Sequence, residues 1–213
     1  MLSLMEEILL LSLKEEKGTL YLTVSTGIES GITGALLMEL EFLKRIKVNK
    51  KTLEVIDRRS TRNPRLDAAL KQIDSSKRLH PPHYWVSKLR STMKHLRKEL
   101  LEELVDKAFL REEEHEFLVF FHTTRYPLRD IRAKKDILDR LQKALLRGEI
   151  PHPRTAKLIG LIQACSLIGP LFDKDERKEA RKKAKEIARE DILAEAVKKV
   201  IQAQTANAGV SSF

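Results

Sequence analysis

Residues 1–18, MLSLMEEILLLSLKEEKG, decide the fold class of this 213-residue chain. Ser3 stands where a helix N-cap would, and Glu6 three residues later completes a capping box. Ile8, Leu9, Leu10 and Leu11 follow, closed by the charged run Lys14-Glu15-Glu16-Lys17 and by Gly18. A membrane-spanning helix needs about 20 apolar residues; this run is shorter, and Glu6 and Glu7 interrupt it. A secretory signal needs a basic start, and acids stand there instead. The segment therefore reads as a buried helix.

Working outward, residues 19–24 (TLYLTV) are β-branched and aromatic and read as a short strand. Ser25-Thr26-Gly27 turns the chain into a helix over 28–43, with Ile32, Leu36, Leu40 and Leu43 on one face. Residues 46–48 and 53–56 alternate like a hairpin, and 66–73 form a short helix. The spacing of Leu89, Met93, Leu96, Leu100 and Leu104 predicts one long helix over 83–108, with Pro82 suited to its first position. The apolar run 117–121 reads as one strand of a second hairpin, with Glu112-Glu113-Glu114 in a connecting turn. Helices follow over 136–147, 154–168 (stopped by Gly169-Pro170) and 173–199, and residues 203–213 read as a frayed tail. The expected fold is mainly α. It is a single globular domain over 1–213, with a core of apolar helices, amphipathic helices around it and short β-hairpins.

A hydrophobic content of 42% is enough for a full core at this length. The one cysteine, Cys165, excludes a disulfide framework and a cysteine-based zinc site, and its apolar neighbours make it a small buried hydrophobe. Both points favour an intracellular protein. The net charge is +10, but residues 44–98 carry 17 Lys or Arg against 4 Asp or Glu, which is +13. Residues 99–116 carry 8 acids against 2 bases, which is −6. Such polarity suits an anionic partner, either membrane phosphate or nucleic acid.

On a continuous helix, Arg90, Lys94 and Arg97 share one face, and like charges stacked at these steps favour an anion between them. Arg presents a planar fork of donors to phosphate oxygens and Lys a compact charge. The run Phe117-Leu118-Val119-Phe120-Phe121 is apolar on both faces of a strand, so it is either buried twice over or awaits a bilayer or a second subunit. No catalytic constellation emerges. His80-Pro81-Pro82-His83 lacks a second ligand pair, and the glycines near residue 30 lack a phosphate-loop lysine. No enzyme activity, cofactor or metal is expected.

Leu2 to Leu11, then Ser30-Gly31-Ile32-Thr33-Gly34-Ala35-Leu36-Leu37-Met38-Glu39-Leu40, Leu66-Asp67-Ala68-Ala69-Leu70 and Phe117-Leu118-Val119-Phe120, follow one another as in the Golgi phosphoprotein 3 family, which the chain resembles from about Leu2 to Phe172. The resemblance implies a peripheral membrane protein on the cytosolic face of the Golgi, or cytoplasmic in a prokaryotic relative that starts at the family core. It implies a trafficking or sorting adaptor that binds phosphoinositide-like headgroups and cytosolic tails of membrane proteins, and a self-associating or membrane-dipping hairpin at Phe117, Leu118, Phe120 and Phe121. It places Lys94 and Arg97 at two headgroup-binding arginines, Thr33 at a third, and a pocket tryptophan near Val24 or Ser25, where this chain has none. The competing expectation, from helix, strand, helix and hairpin together with the local +13, is a nucleic-acid-binding winged-helix-like module. Its candidate recognition helix, 28–43, carries Glu29, Glu39 and Glu41 and no basic residue, which favours lipid.

Overall fold

In the computed structural model, which describes residues 2–117 and 121–210, helix α1 spans Leu4–Ser12 and every one of its nine residues is buried. Six of them are large and apolar: Leu4, Met5, Ile8, Leu9, Leu10 and Leu11. At about 1.5–3 kcal/mol for each such side chain, their burial contributes on the order of 10 kcal/mol before the entropy of ordering is charged against it. A helix sunk this deep cannot leave its end groups to water. Ser3 Oγ accepts from the Glu6 amide at 3.2 Å, and Glu6 Oε2 accepts in return from the Ser3 amide at 2.7 Å, so the expected capping box is present. The Leu4 amide donates to Glu39 Oε1 at 2.7 Å. At the other end, Lys134 Nζ donates to the Leu13 carbonyl at 2.8 Å although Lys134 is only 1% exposed. Burial lowers the Lys134 ammonium, and Glu15 at 3.5 Å opposes that fall.

Glu6 and Glu7 are buried within α1, and each is matched by a cation from far along the chain. Lys107 Nζ lies 2.7 Å from Glu6 Oε1, and Arg140 Nη2 donates to Glu7 Oε1 at 2.6 Å. Arg154 grips both oxygens of Glu39, at 2.7 and 3.1 Å. Burial raises the Glu7 carboxyl above its ordinary value, with Arg140 pulling it back.

Helix α2 (Ile28–Phe42) packs against α1 and forms the centre of the core. Around these two lie β1 (Ile46–Val48) paired antiparallel with β2 (Leu53–Val55), α3 (Pro64–Asp74), α4 (Pro82–Thr92) and α5 (Leu96–Asp106). A second antiparallel hairpin, β3 (Glu113–Phe117) with β4 (Phe121–Arg125), precedes α6 (Ile131–Leu146), α7 (Pro153–Ala164), the short α8 (Ile168–Leu171), α9 (Arg177–Ile187) and α10 (Ile192–Val210). Helix α10 returns to pack on α2, α4 and α7. It comes so close that a Cβ on Gly34 would run into the Val197 side chain. The single, mainly helical domain with short hairpins is as expected.

Several local expectations are corrected. The stretch 19–24 is not a strand: only Leu20 bridges to Leu13, and Leu22–Val24 is a single 3-10 turn, because no second strand lies alongside to pair with it. The long helix over 83–108 is two helices. Thr92 Oγ turns back on the carbonyls of Lys88 and Leu89, and Met93 leaves the helical region at φ −104°, ψ 53°. The charged stretch 173–199 likewise divides into α9 and α10, and Gly169-Pro170 falls inside α8. Residues 113 and 114 belong to β3 instead of a turn. The run 117–121 is not one strand, since Phe117 ends β3 and pairs with Phe121 at the start of β4. Leu118 and Phe120 lie outside the described residues, and of Phe117 and Phe121 only the backbone is described. The tail is helical as far as Val210, since Gln204 is anchored on α2 through Ser30. Finally, the winged-helix reading fails because its recognition helix is α2, which is buried along its length from Ser30 to Leu40 and cannot enter a groove.

Two tests follow from this packing. Gly18 has φ +60°, and a Cβ there would collide with the Tyr126 and Pro127 backbone, whereas Gly148 has φ +72° and open space around it. Gly148→Ala should cost about 1 kcal/mol, the left-handed penalty alone, and Gly18→Ala several times more, read as a much larger fall in Tm. For Glu7, a folded value above the unfolded one means a stabilising contribution that is complete below about pH 4.5 and lost as the pH rises through the folded value. Urea melts should therefore show wild type gaining stability relative to Glu7→Gln as the pH is lowered from neutral towards 4.5.

Candidate anion-binding site

The break between α4 and α5 sets the geometry of the basic cluster. Arg90 sits in the last turn of α4, Lys94 in the connection, and Arg97 in the first turn of α5, so the three do not share one helical face as the unbroken helix required. Arg97 and Arg90 nevertheless both reach one feature, the start of α2. Arg97 Nε pairs with Glu29 Oε1 at 3.0 Å, which links the first turn of α5 to the first turn of α2. Arg90 reaches the same turn through α10. With the Gln204 amide oriented by its hydrogen bonds, its oxygen accepts from Arg90 Nε and Ser30 Oγ, each at 3.1 Å, and its nitrogen donates to the Thr26 carbonyl at 3.1 Å. Lys94 is exposed, and its side chain has neither ion pair nor hydrogen bond among the described residues.

Neither helix start carries a side-chain cap: Gly27 precedes α2 and His95 precedes α5. The start of α2 is thus a positive dipole end with the Arg90 and Arg97 guanidiniums beside it. Glu29 occupies part of it. Arg97 is 39% exposed and Glu29 35%, so the pair is screened and worth at most about 1 kcal/mol, which an incoming phosphate can offset.

Thr33 lies apart from the other predicted residues. It is 2% exposed, and its hydroxyl donates to the Glu29 carbonyl at 2.8 Å, one turn back along its own helix. Its side chain serves the α2 backbone and presents no donor to the surface. Val24, near the expected tryptophan position, is fully buried, and Ser25 beside it is exposed.

Sequence reasoning missed Glu29 as the partner of Arg97. The available signal was an acid in the first turn of a helix whose remaining face is apolar. The buried network of Glu6, Glu7 and Glu39 with Lys107, Arg140 and Arg154 was also missed. Two consecutive acids inside an apolar helix were its trace.

The hairpin lies near the same surface. The Tyr126 amide donates to the Gly18 carbonyl at 3.1 Å, and the Leu128 amide to the Glu15 carbonyl at 2.9 Å, tying the base of β3 and β4 to the connection between α1 and α2. Burial raises the Tyr126 phenol, Glu112 adds to that rise, and the charge of Arg97 opposes it. Cys165 is buried, and burial pushes its thiol up to about 12, so it is no nucleophile at neutral pH. Among the described residues no cluster of His, Cys, Asp and Glu could hold a metal ion, and no helix is long and apolar enough to cross a membrane.

The profile of the family described as Golgi phosphoprotein 3 (GPP34) matches residues 4–204. The vacuolar protein sorting-associated protein 74 of Schizosaccharomyces pombe is 32% identical over 165 residues, which make up 68% of this chain and 48% of that relative. The chain thus spans about half the length of the curated relative it matches. A match over nearly every helix described above, from α1 into α10, establishes that the chain belongs to the Golgi phosphoprotein 3 family.

Proposed function

We infer that this protein is a peripheral membrane adaptor of the Golgi trafficking pathway, held on the cytosolic face by anionic, phosphoinositide-like lipid headgroups at the meeting point of α2, α4 and α5. The observation that carries the reading is the placement of Arg97 and the unpaired Lys94 beside two uncapped helix starts, with Arg90 drawn in from α4. The headgroup phosphate takes the donors of Arg97 and Lys94 and displaces Glu29 from Arg97. Thr33, being buried, takes no part. Family membership supports the trafficking role, and the name of the fission-yeast relative agrees with protein sorting. The tails of membrane proteins are the corresponding cargo. The hairpin carrying Phe117, Leu118, Phe120 and Phe121 is tied to the same side of the molecule as Arg97, so its apolar run is suited to entering the bilayer or joining a second copy once the headgroup is bound. Nucleic acid is disfavoured, since the helix that would read it is the centre of the core.

Liposome co-sedimentation with phosphatidylinositol 4-phosphate or phosphatidylserine tests the site. Each basic residue near an anionic surface is worth about 1 kcal/mol, so Lys94→Ala with Arg97→Ala should weaken binding roughly 30-fold, with the far-ultraviolet circular dichroism unchanged. Unaltered binding by that folded variant would place the membrane contact elsewhere. Glu29→Gln should act in the opposite direction, because it releases Arg97: a gain of about 2- to 5-fold is expected, shrinking as salt is raised.

A further inference from the structure

Helices α7, α9 and α10 meet at a second place that shares no residue with the site at the start of α2. They come close because the residues between them are small: a Cβ on Gly160 would stand 2.8 Å from the Ala194 Cβ and 3.7 Å from that of Ala188. Here a pocket of about 190 Å³ is lined by these residues and by the long side chains of Lys185, Arg189 and Lys198. Its volume lies below the roughly 300–1,000 Å³ of sites for drug-sized ligands, and suits one small group.

Lys185, Arg189 and Lys198 are exposed, and none of their side chains has an ion pair or hydrogen bond among the described residues. The acids alongside are already engaged. Glu195, the one acid that lines the pocket, pairs with Lys199 at 3.3 Å, and Glu186 pairs with Lys183 at 3.0 Å. Asp191 is held by Lys157 at 3.4 Å and by the Leu193 and Ala194 amides, each at 3.0 Å. The lining thus carries three cations against one acid, and residues 177–199 as a whole carry nine bases against five acids. A cation in the last turn of a helix is favoured by the dipole, which accounts for Lys185 in α9 but not for Lys198 in the middle of α10. Gln163, half-buried in α7, adds a donor: its amide oxygen is closed off from solvent, and its amide nitrogen makes no hydrogen bond. The pocket therefore has donors and positive charge to offer, and unpaired like charges lining one pocket repel until an anion enters.

We propose that this pocket binds a phosphate group, whose oxygens take the Arg189 fork, the Lys185 and Lys198 ammonium groups and the Gln163 amide. The same group is carried by free inorganic phosphate and by the phosphomonoester headgroup of phosphatidic acid.

The test is an NMR titration of the full-length, 15N-labelled chain with sodium phosphate, with the ionic strength held constant by sodium chloride. Phosphate is expected to give saturable shifts at the amides of Gly160, Ala188 and Ala194. Arg189→Ala and Lys198→Ala should each weaken binding about threefold, and together about tenfold, as expected for exposed charge contacts. Lys178→Ala, which removes the same charge from the exposed start of α9, should leave the affinity unchanged. Sedimentation with phosphatidic acid vesicles, in the Lys94→Ala, Arg97→Ala background so that those two cations contribute nothing, separates the sources. A further loss on adding Arg189→Ala and Lys198→Ala assigns the pocket to the lipid headgroup; unchanged sedimentation with the phosphate shifts abolished assigns it to free phosphate. No shift with phosphate, shifts away from the pocket, affinity unchanged by the double substitution, or an equal loss in Lys178→Ala would overturn the proposal.

Discussion

The complete burial of α1 is the constraint on which the rest of the structure depends. An apolar helix in a core is ordinary, but one with two acids and both termini in that core must have its charges and end groups met by other segments. Those segments are fixed in consequence. Glu39 of α2 caps the helix start, Arg154 of α7 holds Glu39, Lys107 at the end of α5 holds Glu6, and Lys134 and Arg140 of α6 hold the last carbonyl and Glu7. Four elements separated by as many as 133 positions in sequence are thereby set around nine residues. Breaking one such pair would leave a charge stranded in low dielectric, which is why these contacts specify the arrangement more than they stabilise it.

Elements whose signals are local were legible in the sequence. The capping box at Ser3 and Glu6 and the periodicity of α2 depend on residues within a few positions of one another, and the structure reproduces them. The failures share a physical cause. The leucine stripe through residues 89–104 is continuous in sequence across the end of α4, since Leu89, Leu96, Leu100 and Leu104 are all buried, yet a bend at Met93 reaches the same burial with two shorter helices. The β-branched run at 19–24 has strand propensity and no partner, and propensity alone does not make a sheet.

The site was legible in its residue types but not in its geometry. Arg90 and Arg97 both reach the start of α2, through Gln204 and Glu29, instead of lining one helical face, while Lys94 stays in the connection between α4 and α5. Residue types that attract phosphate can be recognised in a sequence; the acid already sitting among them cannot be assigned to a cation without the fold. The same holds for Glu7. Its position inside an apolar helix marks it as unusual, and only the packing of α6 shows that one of its oxygens is spent and the other is not.

The close seating of α10 on Gly34 bears on how the molecule is made. Ser30 and Gln204, which touch across this seam, are 174 residues apart, so the central helix cannot be sealed until the segment carrying α10 has left the ribosome. Until then α1 and α2 expose one of the most apolar stretches of the protein, and long-range closure of this kind is slow because the loop entropy is spent before the contacts form. Synthesis therefore passes through an interval in which the N-terminal helices are sticky and incomplete, the state in which chains of this size are most prone to aggregate. Helix α10 is the clasp that closes the core over α2.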